Sequence, residues 1–207
     1  MRVKLHTRFQ MIHTLLKNKK VVLASASPRR KQIFEYIGVK ALQYPANIDE
    51  PMLELPPYKL VQELALMKAS HVATHVDSGC LIVGADTIVY SEKEILGKPD
   101  TIEDAIEYLT RLSGRAHSVY TGVAIKHGVH EFTSYAKSSV TFKTLDMHDI
   151  EAYIKTKEPF DKAGAYGIQG YGSQFIEKIA GCYFNVMGFP ISTFYDMLKD
   201  MKKKKLI

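Results

Sequence analysis

The sequence predicts an α/β protein built on a mixed, twisted sheet with flanking helices. Three observations carry that prediction. A short apolar strand at 21–25 runs straight into a capped helix, a second buried strand covers 81–90, and two alternating segments flank a His127-Gly128 turn. Strand–helix units make parallel neighbours and a hairpin makes antiparallel ones, so one sheet holds both pairings.

Val21-Val22-Leu23-Ala24-Ser25 has the apolar, β-branched character of a buried strand. Ser27 is a good N-cap, and Pro28 suits the first helical position because its missing N–H has no intrahelical partner there anyway. The helix closes at Gly38. A strand at 40–45 leads into an acidic, proline-rich loop at 46–56. Pro57 opens a helix reaching about His75, with Leu60, Leu64 and Met67 on its apolar face. The strand begun by Leu81-Ile82-Val83 continues through Gly84-Ala85-Asp86-Thr87 to Tyr90, and residues 91–94 form a turn. Thr101 with Asp104 makes a capping box for a helix to Leu112, which Gly114 stops. Segments 118–126 and 131–143 alternate as a long hairpin. Asp146 caps a helix to about Lys155; a glycine-rich stretch, a strand at 174–179 and a last helix from Pro190 complete the chain.

The 207 residues suit one domain, or two lobes sharing a sheet, with a sizeable core, and 46% hydrophobic with 24% charged residues is ordinary for a globular protein in water. No apolar run approaches the roughly 18–20 residues that cross a bilayer, so no membrane partner is expected. Cys80 and Cys182 form neither a metal-ligand spacing nor a disulfide framework, and a reducing, cytoplasmic setting is expected. The net charge of +6 is unevenly placed. Residues 1–31 hold nine Lys/Arg and no acid, and residues 199–205 hold five lysines and one aspartate, which leaves −7 for residues 32–198. The expected organisation is a basic extension at 1–18, a single domain at 19–200 and a basic tail at 201–207. The basic ends read as solvated, with no specific nucleic acid as partner. Residues 1–20 lack the apolar stretch of a secretory signal; their basic, acid-free composition is compatible with a mitochondrial-type segment, and Met11 offers an alternative start.

Arg29 and Arg30 fall in the first turn of their helix, with Lys31 beside them. The positive end of the macrodipole disfavours cations there by about 0.3–1 kcal/mol each. A strand-to-helix turn with free N–H groups and added cations suits an anion, phosphate above all; the alternative is a solvated basic turn. Asp86 lies inside a very apolar run, where a carboxylate needs a partner, a hydrogen-bond network or a metal. Asp49 and Glu50 sit in a loop where paired acids are ordinarily just solvated. One loop carboxylate and one strand carboxylate together match what Mg²⁺ takes from protein, with waters and phosphates supplying the rest. Lys68 follows an apolar helix face and reads by default as snorkelling outward. Lys98, between Gly97 and Pro99, is a phosphate contact or a surface lysine. Gln169, in the glycine-rich stretch 164–170, can read a base edge through its amide. His71 and His75 share i, i+4 spacing without the glutamate of a zinc-protease helix. Neither a nucleophile elbow nor a P-loop is present.

Taken in order, these pieces resemble the Maf family of nucleoside triphosphate pyrophosphatases. The matching elements are Leu23-Ala24-Ser25-Ala26-Ser27-Pro28-Arg29-Arg30, Ile48-Asp49-Glu50, Lys68-Ala69, Gly84-Ala85-Asp86-Thr87, Leu96-Gly97-Lys98-Pro99 and Gly114-Arg115-Ala116-His117-Ser118-Val119-Tyr120-Thr121-Gly122. The glycine stretch 164–170 and the segment from Gly181 through Val186-Met187-Gly188-Phe189-Pro190 complete them. The resemblance implies two lobes around a cleft, as in the Maf and inosine triphosphatase-like folds. It also implies metal-dependent cleavage (Mg²⁺ or Mn²⁺) of a nucleoside triphosphate to the monophosphate and pyrophosphate. Asp86 matches the family's proton acceptor, Glu50 an acidic position near the metal, and Ser25, Arg29, Arg30, Lys68 and Lys98 its substrate and phosphate contacts. Asp86, Lys68 and Glu50 are thus the expected catalytic set, and Asp86 with Glu50 the expected metal ligands. Arg29, Thr87 and Gln169 match the subgroup favouring dTTP and UTP, with CTP or modified pyrimidine nucleotides as further substrates, over the one favouring 7-methyl-GTP. A non-catalytic, nucleotide-sensing regulator of cell division is the reading from another class. The expected partner is the nucleotide itself, with a homodimer left open.

Overall fold

The computed structural model describes residues 10–51 and 53–207. The basic segment 1–9, with the targeting character weighed for it, lies outside the described residues, as does Met52. In chain order the elements are α1 (Ile12–Leu15), β1 (Val21–Ala24), α2 (Pro28–Tyr36), β2 (Ala41–Gln43), α3 (Pro57–Ala73), β3 (Leu81–Ser91), β4 (Glu94–Leu96) and α4 (Ile102–Leu112). There follow β5 (Ala116–His127), β6 (His130–Phe142), α5 (Met147–Lys155), β7 (Ile176–Ala180), α6 (Tyr183–Met187) and α7 (Ile191–Lys203), with three short 3-10 turns at Glu158–Asp161, Ala163–Ala165 and Tyr171–Phe175.

The expected caps form as side-chain hydrogen bonds. Ser27 accepts from the Arg30 N–H, Thr101 and Asp104 make a reciprocal capping box, and Asp146 accepts from the Asp149 N–H. The seven strands run β2-β1-β3-β5-β6-β7, with β4 on the far end of β3. β1 is parallel to β2 and β3, and every other pairing is antiparallel, so the sheet is mixed as predicted.

One edge of β3 positions the site. β1 pairs with it only from Leu81 to Gly84, and β4 only from Val89 to Ser91. Residues 85–88 have no strand on that edge, while β5 pairs with them on the other. The chain leaves β1 there and turns into α2. The carboxyl end of a parallel strand beside a break in strand order is where open α/β sheets bind ligands.

α3 lies unusually close on one face of the sheet. A Cβ at Gly84 would stand 2.1 Å from the Ala65 carbonyl oxygen, and one at Gly122 2.0 Å from that of Val61. The opposite face is covered by α2, α6 and α7, where Ile33, Phe34, Met187, Phe189, Phe194 and Leu198 pack on Leu23, Val83 and Val123. Further along, α4 and α5 bury Leu109, Leu112, Ile150 and Tyr153 against Val89, Val119 and Phe142. His117 is buried here, its Nε2 2.7 Å from the Tyr166 hydroxyl, and its Nδ1 has no partner among the described residues.

Three short elements, α1, β4 and α6, go beyond those read from the sequence. β4 is only three residues long, too short for a periodic signal. It forms because Glu92 and Lys93 adopt φ of 50° and 71° in the preceding turn, and because Arg111 ion-pairs with Glu92 and Glu94. Described residues near both ends also pack. Ile12, Leu15 and Leu16 are buried in the cluster that holds Met201, and Leu206 and Ile207 lie partly buried against it. Lys17 and residues 202–205 stay exposed. Among the described residues no helix is long and apolar enough to cross a membrane.

Candidate active site

A cleft of about 1030 Å³ opens at the break in the β3 edge. Its first wall is the β1–α2 turn, from Ala24 to Arg30. Arg30 is the pin of that wall. Its Nε donates to the Gly188 carbonyl at 2.9 Å, Nη1 to Ser25 Oγ at 3.1 Å and Nη2 to Thr87 Oγ1 at 3.1 Å. Burial lowers its pKa and the Asp86 carboxylate partly offsets this. A cation that the helix dipole disfavours is therefore held by three oxygens from three segments. Gly188, at φ 114° after α6, adopts a backbone that favours glycine and leaves its carbonyl to Arg30.

β3 contributes consecutive residues to opposite faces of the sheet, as strand alternation requires. Asp86 points to the α3 side, where Lys68 Nζ lies 2.5 Å from its Oδ1. The same Nζ is 2.7 Å from Glu50 Oε1 in the 46–56 loop. The Lys68 side chain is only 12% exposed and that of Asp86 10%, against 47% for Glu50. Lys68 does not snorkel outward: the two glycines bring α3 close enough for its side chain to reach over β3 to the carboxylates. Thr87 faces the other way, 3.0 Å from Thr121 Oγ1 as well as bonded to Arg30.

The second wall is the 3-10 segment after α5 together with the end of β4. Arg29 crosses to it, donating from Nη1 to Asp161 Oδ2 at 2.8 Å and from Nη2 to the Asp161 carbonyl at 3.3 Å. Burial pushes the Asp161 carboxyl up, but hydrogen bonds from Lys162 and Arg29 outweigh it and hold its pKa below the usual carboxylate value. Glu158 anchors this segment: its carboxylate accepts from the Tyr153 hydroxyl and from the N–H groups of Tyr171 and Gly172. Lys98 lies exposed on the rim after β4.

The cleft thus brings together Ser25, Arg29, Arg30, Glu50, Lys68, Asp86, Thr87 and Lys98. Three predicted positions fall elsewhere. Gln169 is not part of the lining; its amide points to Gln32 Oε1 at 3.5 Å. Asp49 is absent from the lining, and Lys31 turns into a separate groove with Glu35 and Lys40. Sequence reasoning missed Glu54, Asp161 and Lys162, all of which line the cleft. The adjacent Asp161-Lys162 pair just before a glycine-rich stretch was the available signal. His71 and His75 sit at the end of α3, the His75 Nδ1 2.9 Å from the His71 carbonyl.

Chemically, five cations face four carboxylates along one cleft. Glu50 and Asp86 converge on a single point, the donor set a hard cation takes when waters and phosphates complete its shell. Among the described residues no group of three or more His, Cys, Asp or Glu is placed to hold a metal ion. The residues therefore fit a metal shared with the substrate and not a closed protein cage.

The profile of the family described as Maf-like protein matches residues 20–201. The chain is 47% identical over 182 residues to a protein of Clostridioides difficile (strain 630) named dTTP/UTP pyrophosphatase, an alignment covering 86% of this chain and 93% of that one. Proteins of the same name are 46% identical in Moorella thermoacetica (strain ATCC 39073 / JCM 9320), with 86% and 93% covered. In Bacillus cereus (strain ATCC 10987 / NRS 248) the identity is 47%, with 87% and 89% covered.

Proposed function

The chain belongs to the Maf-like protein family, and on that footing we propose that it is a nucleoside triphosphate pyrophosphatase acting on dTTP and UTP. The observation that carries the reading is the Glu50–Lys68–Asp86 cluster, at 2.7 and 2.5 Å, in a cleft that also presents Arg29, Arg30, Lys98 and Lys162. The relatives' shared name, at 46–47% identity over nearly their whole length, supports the same substrates.

In this reading Arg29, Lys98 and Lys162 grip the triphosphate. The N-terminus of α2 faces it with the favourable end of its dipole. Asp86 orients a water and accepts its proton, directing the oxygen at the α-phosphorus. The bond from that phosphorus to the bridging oxygen breaks, and pyrophosphate leaves. Such chemistry rests on positioning and charge more than on covalent catalysis, which suits rigid, paired side chains. Asp86 and Glu50 would hold Mg²⁺ or Mn²⁺, which when bound offsets charge on the phosphoryl oxygens. Thr87, bonded to Arg30, is the residue of the dTTP/UTP pattern on the arginine wall.

The test is pyrophosphate release from dTTP, UTP, CTP and 7-methyl-GTP, with Mg²⁺, Mn²⁺ or chelator. Metal-dependent release led by dTTP and UTP supports the reading. Release led by 7-methyl-GTP keeps the chemistry and overturns the pyrimidine preference. Nucleotide binding without release from any of them moves the regulator reading forward.

A further inference from the structure

Lys68 does more than neutralise its neighbours, because of where its ammonium lies. Nζ is 2.5 Å from Asp86 Oδ1 and 2.7 Å from Glu50 Oε1, so one cationic atom takes up the point on which both carboxylates converge. That is the place a divalent cation bound by the same pair has to occupy, with Mg–O distances of about 2.0–2.1 Å. Two cations cannot share it. The carboxylates can close on a smaller ion, because Glu50 sits in a loop without regular structure and its side chain is half-exposed. The backbone of Lys68 cannot retreat without breaking the packing of Ala65, Ala69 and Val72 on the sheet. α3 is seated on the sheet at Gly84 and Gly122 with no room for even a methyl group beneath it. The side chain alone moves, and the open volume beside it is the cleft.

We propose that Lys68 is a placeholder: its ammonium holds the Glu50–Asp86 pair until a divalent cation displaces it, and the released ammonium then engages the substrate's phosphates. The inference rests on the metal-dependent reading above and adds a device to it. Lys68 competes with the metal in the free protein and cooperates with it once a triphosphate is present. Metal and nucleotide therefore tighten each other's binding, by the same factor in both directions. The cleft's near balance of five cations and four carboxylates gives this coupling its purpose. Without exchange, the lysine is already spent on two carboxylates when a polyanion arrives.

The experiment is Mn²⁺ titration, followed by the electron paramagnetic resonance of the free ion, of wild type, Lys68→Met and Lys68→Arg without nucleotide. The expected result is at least tenfold tighter Mn²⁺ binding by K68M than by wild type, with K68R weak like wild type because it keeps a competing cation. A non-hydrolysable α,β-imido dTTP should then tighten Mn²⁺ binding to wild type at least tenfold, and to K68M by much less. Thermal unfolding provides the second measurement. K68M leaves two carboxylates facing each other without a counter-ion, so it should melt below wild type in chelator and gain more in Tm from Mn²⁺ than wild type gains. Equal Mn²⁺ affinity in K68M and wild type, or equal gains in Tm, overturns the placeholder. Because neither readout uses turnover, this failure is distinct from failure of the pyrophosphatase reading, which the nucleotide panel decides on wild type.

Discussion

Gly84 on β3 lies so close to Ala65 on α3 that a single added carbon would stand 2.1 Å from the Ala65 carbonyl oxygen. Gly122, directly opposite Asp86 in the β3–β5 register, has the same relation to Val61. The pair sets the height of α3 above the sheet and hence the reach of Lys68 to Asp86. Gly122→Ala should cost about 1–3 kcal/mol through forced separation of packed backbone. It should also lower kcat more than it raises KM, since the catalytic set loosens while Arg29 and Lys98 stay in place. Urea unfolding and steady-state kinetics on one preparation check both parts.

Asp86→Asn should reduce kcat by about 10²–10⁴-fold, the range a positioned proton acceptor contributes. The fold should survive, because Lys68 keeps Glu50 as its ion partner. Near-wild-type turnover by a folded D86N protein removes Asp86 from the mechanism. Circular dichroism beside pyrophosphate release makes the comparison.

Asp161→Asn keeps an oxygen acceptor for Arg29 and deletes one of the four carboxylates of the cleft. The expected outcome is a several-fold lower KM for dTTP at low salt, with kcat little changed. The difference should shrink above about 0.5 M salt, where the Debye length falls toward 3 Å. A KM that ignores both the substitution and salt means Asp161 does not contribute to the field the nucleotide meets.

Burial lowers the pKa of His117 from its ordinary 6.5 to about 4. The unfolded chain therefore binds a proton that the folded one refuses, and stability is lost as pH falls from about 6.5 to about 4. The full shift corresponds to about 3 kcal/mol. Urea midpoints taken from pH 7 to pH 4 should fall accordingly, and His117→Phe should flatten the slope. An unchanged slope in that variant assigns the acid sensitivity to other groups.

Local signals carried most of the fold. Ser27 and Pro28, the Thr101–Asp104 box, Asp146 and the His127-Gly128 turn each act within a few residues, so each can be read from the chain alone. The residue-level default for Lys68 fails, because the reason it turns inward is the absence of side chains at two glycines, on β3 and β5, beneath its helix. Asp161 meets Arg29 across 132 residues, a proximity that the local Asp161-Lys162 pair does not encode. Gln169 was expected in the cleft from its place in the family pattern, yet its amide is engaged by Gln32. β4 and α6 are held by Arg111's ion pairs and by Asn185's buried hydrogen bonds to Val119 and Ser138, which exist only once the sheet is assembled.

The alternation of side chains along β3 has a genetic consequence. Neighbouring codons, for Asp86 and Thr87, answer to different pressures: one side chain reaches the carboxylate–lysine cluster, the other the arginine wall. On the proposed function, a substitution at Thr87 alters the arginine wall while the Glu50–Lys68–Asp86 cluster under α3 stays untouched. A one-residue insertion in this strand, by contrast, would exchange the two roles at once.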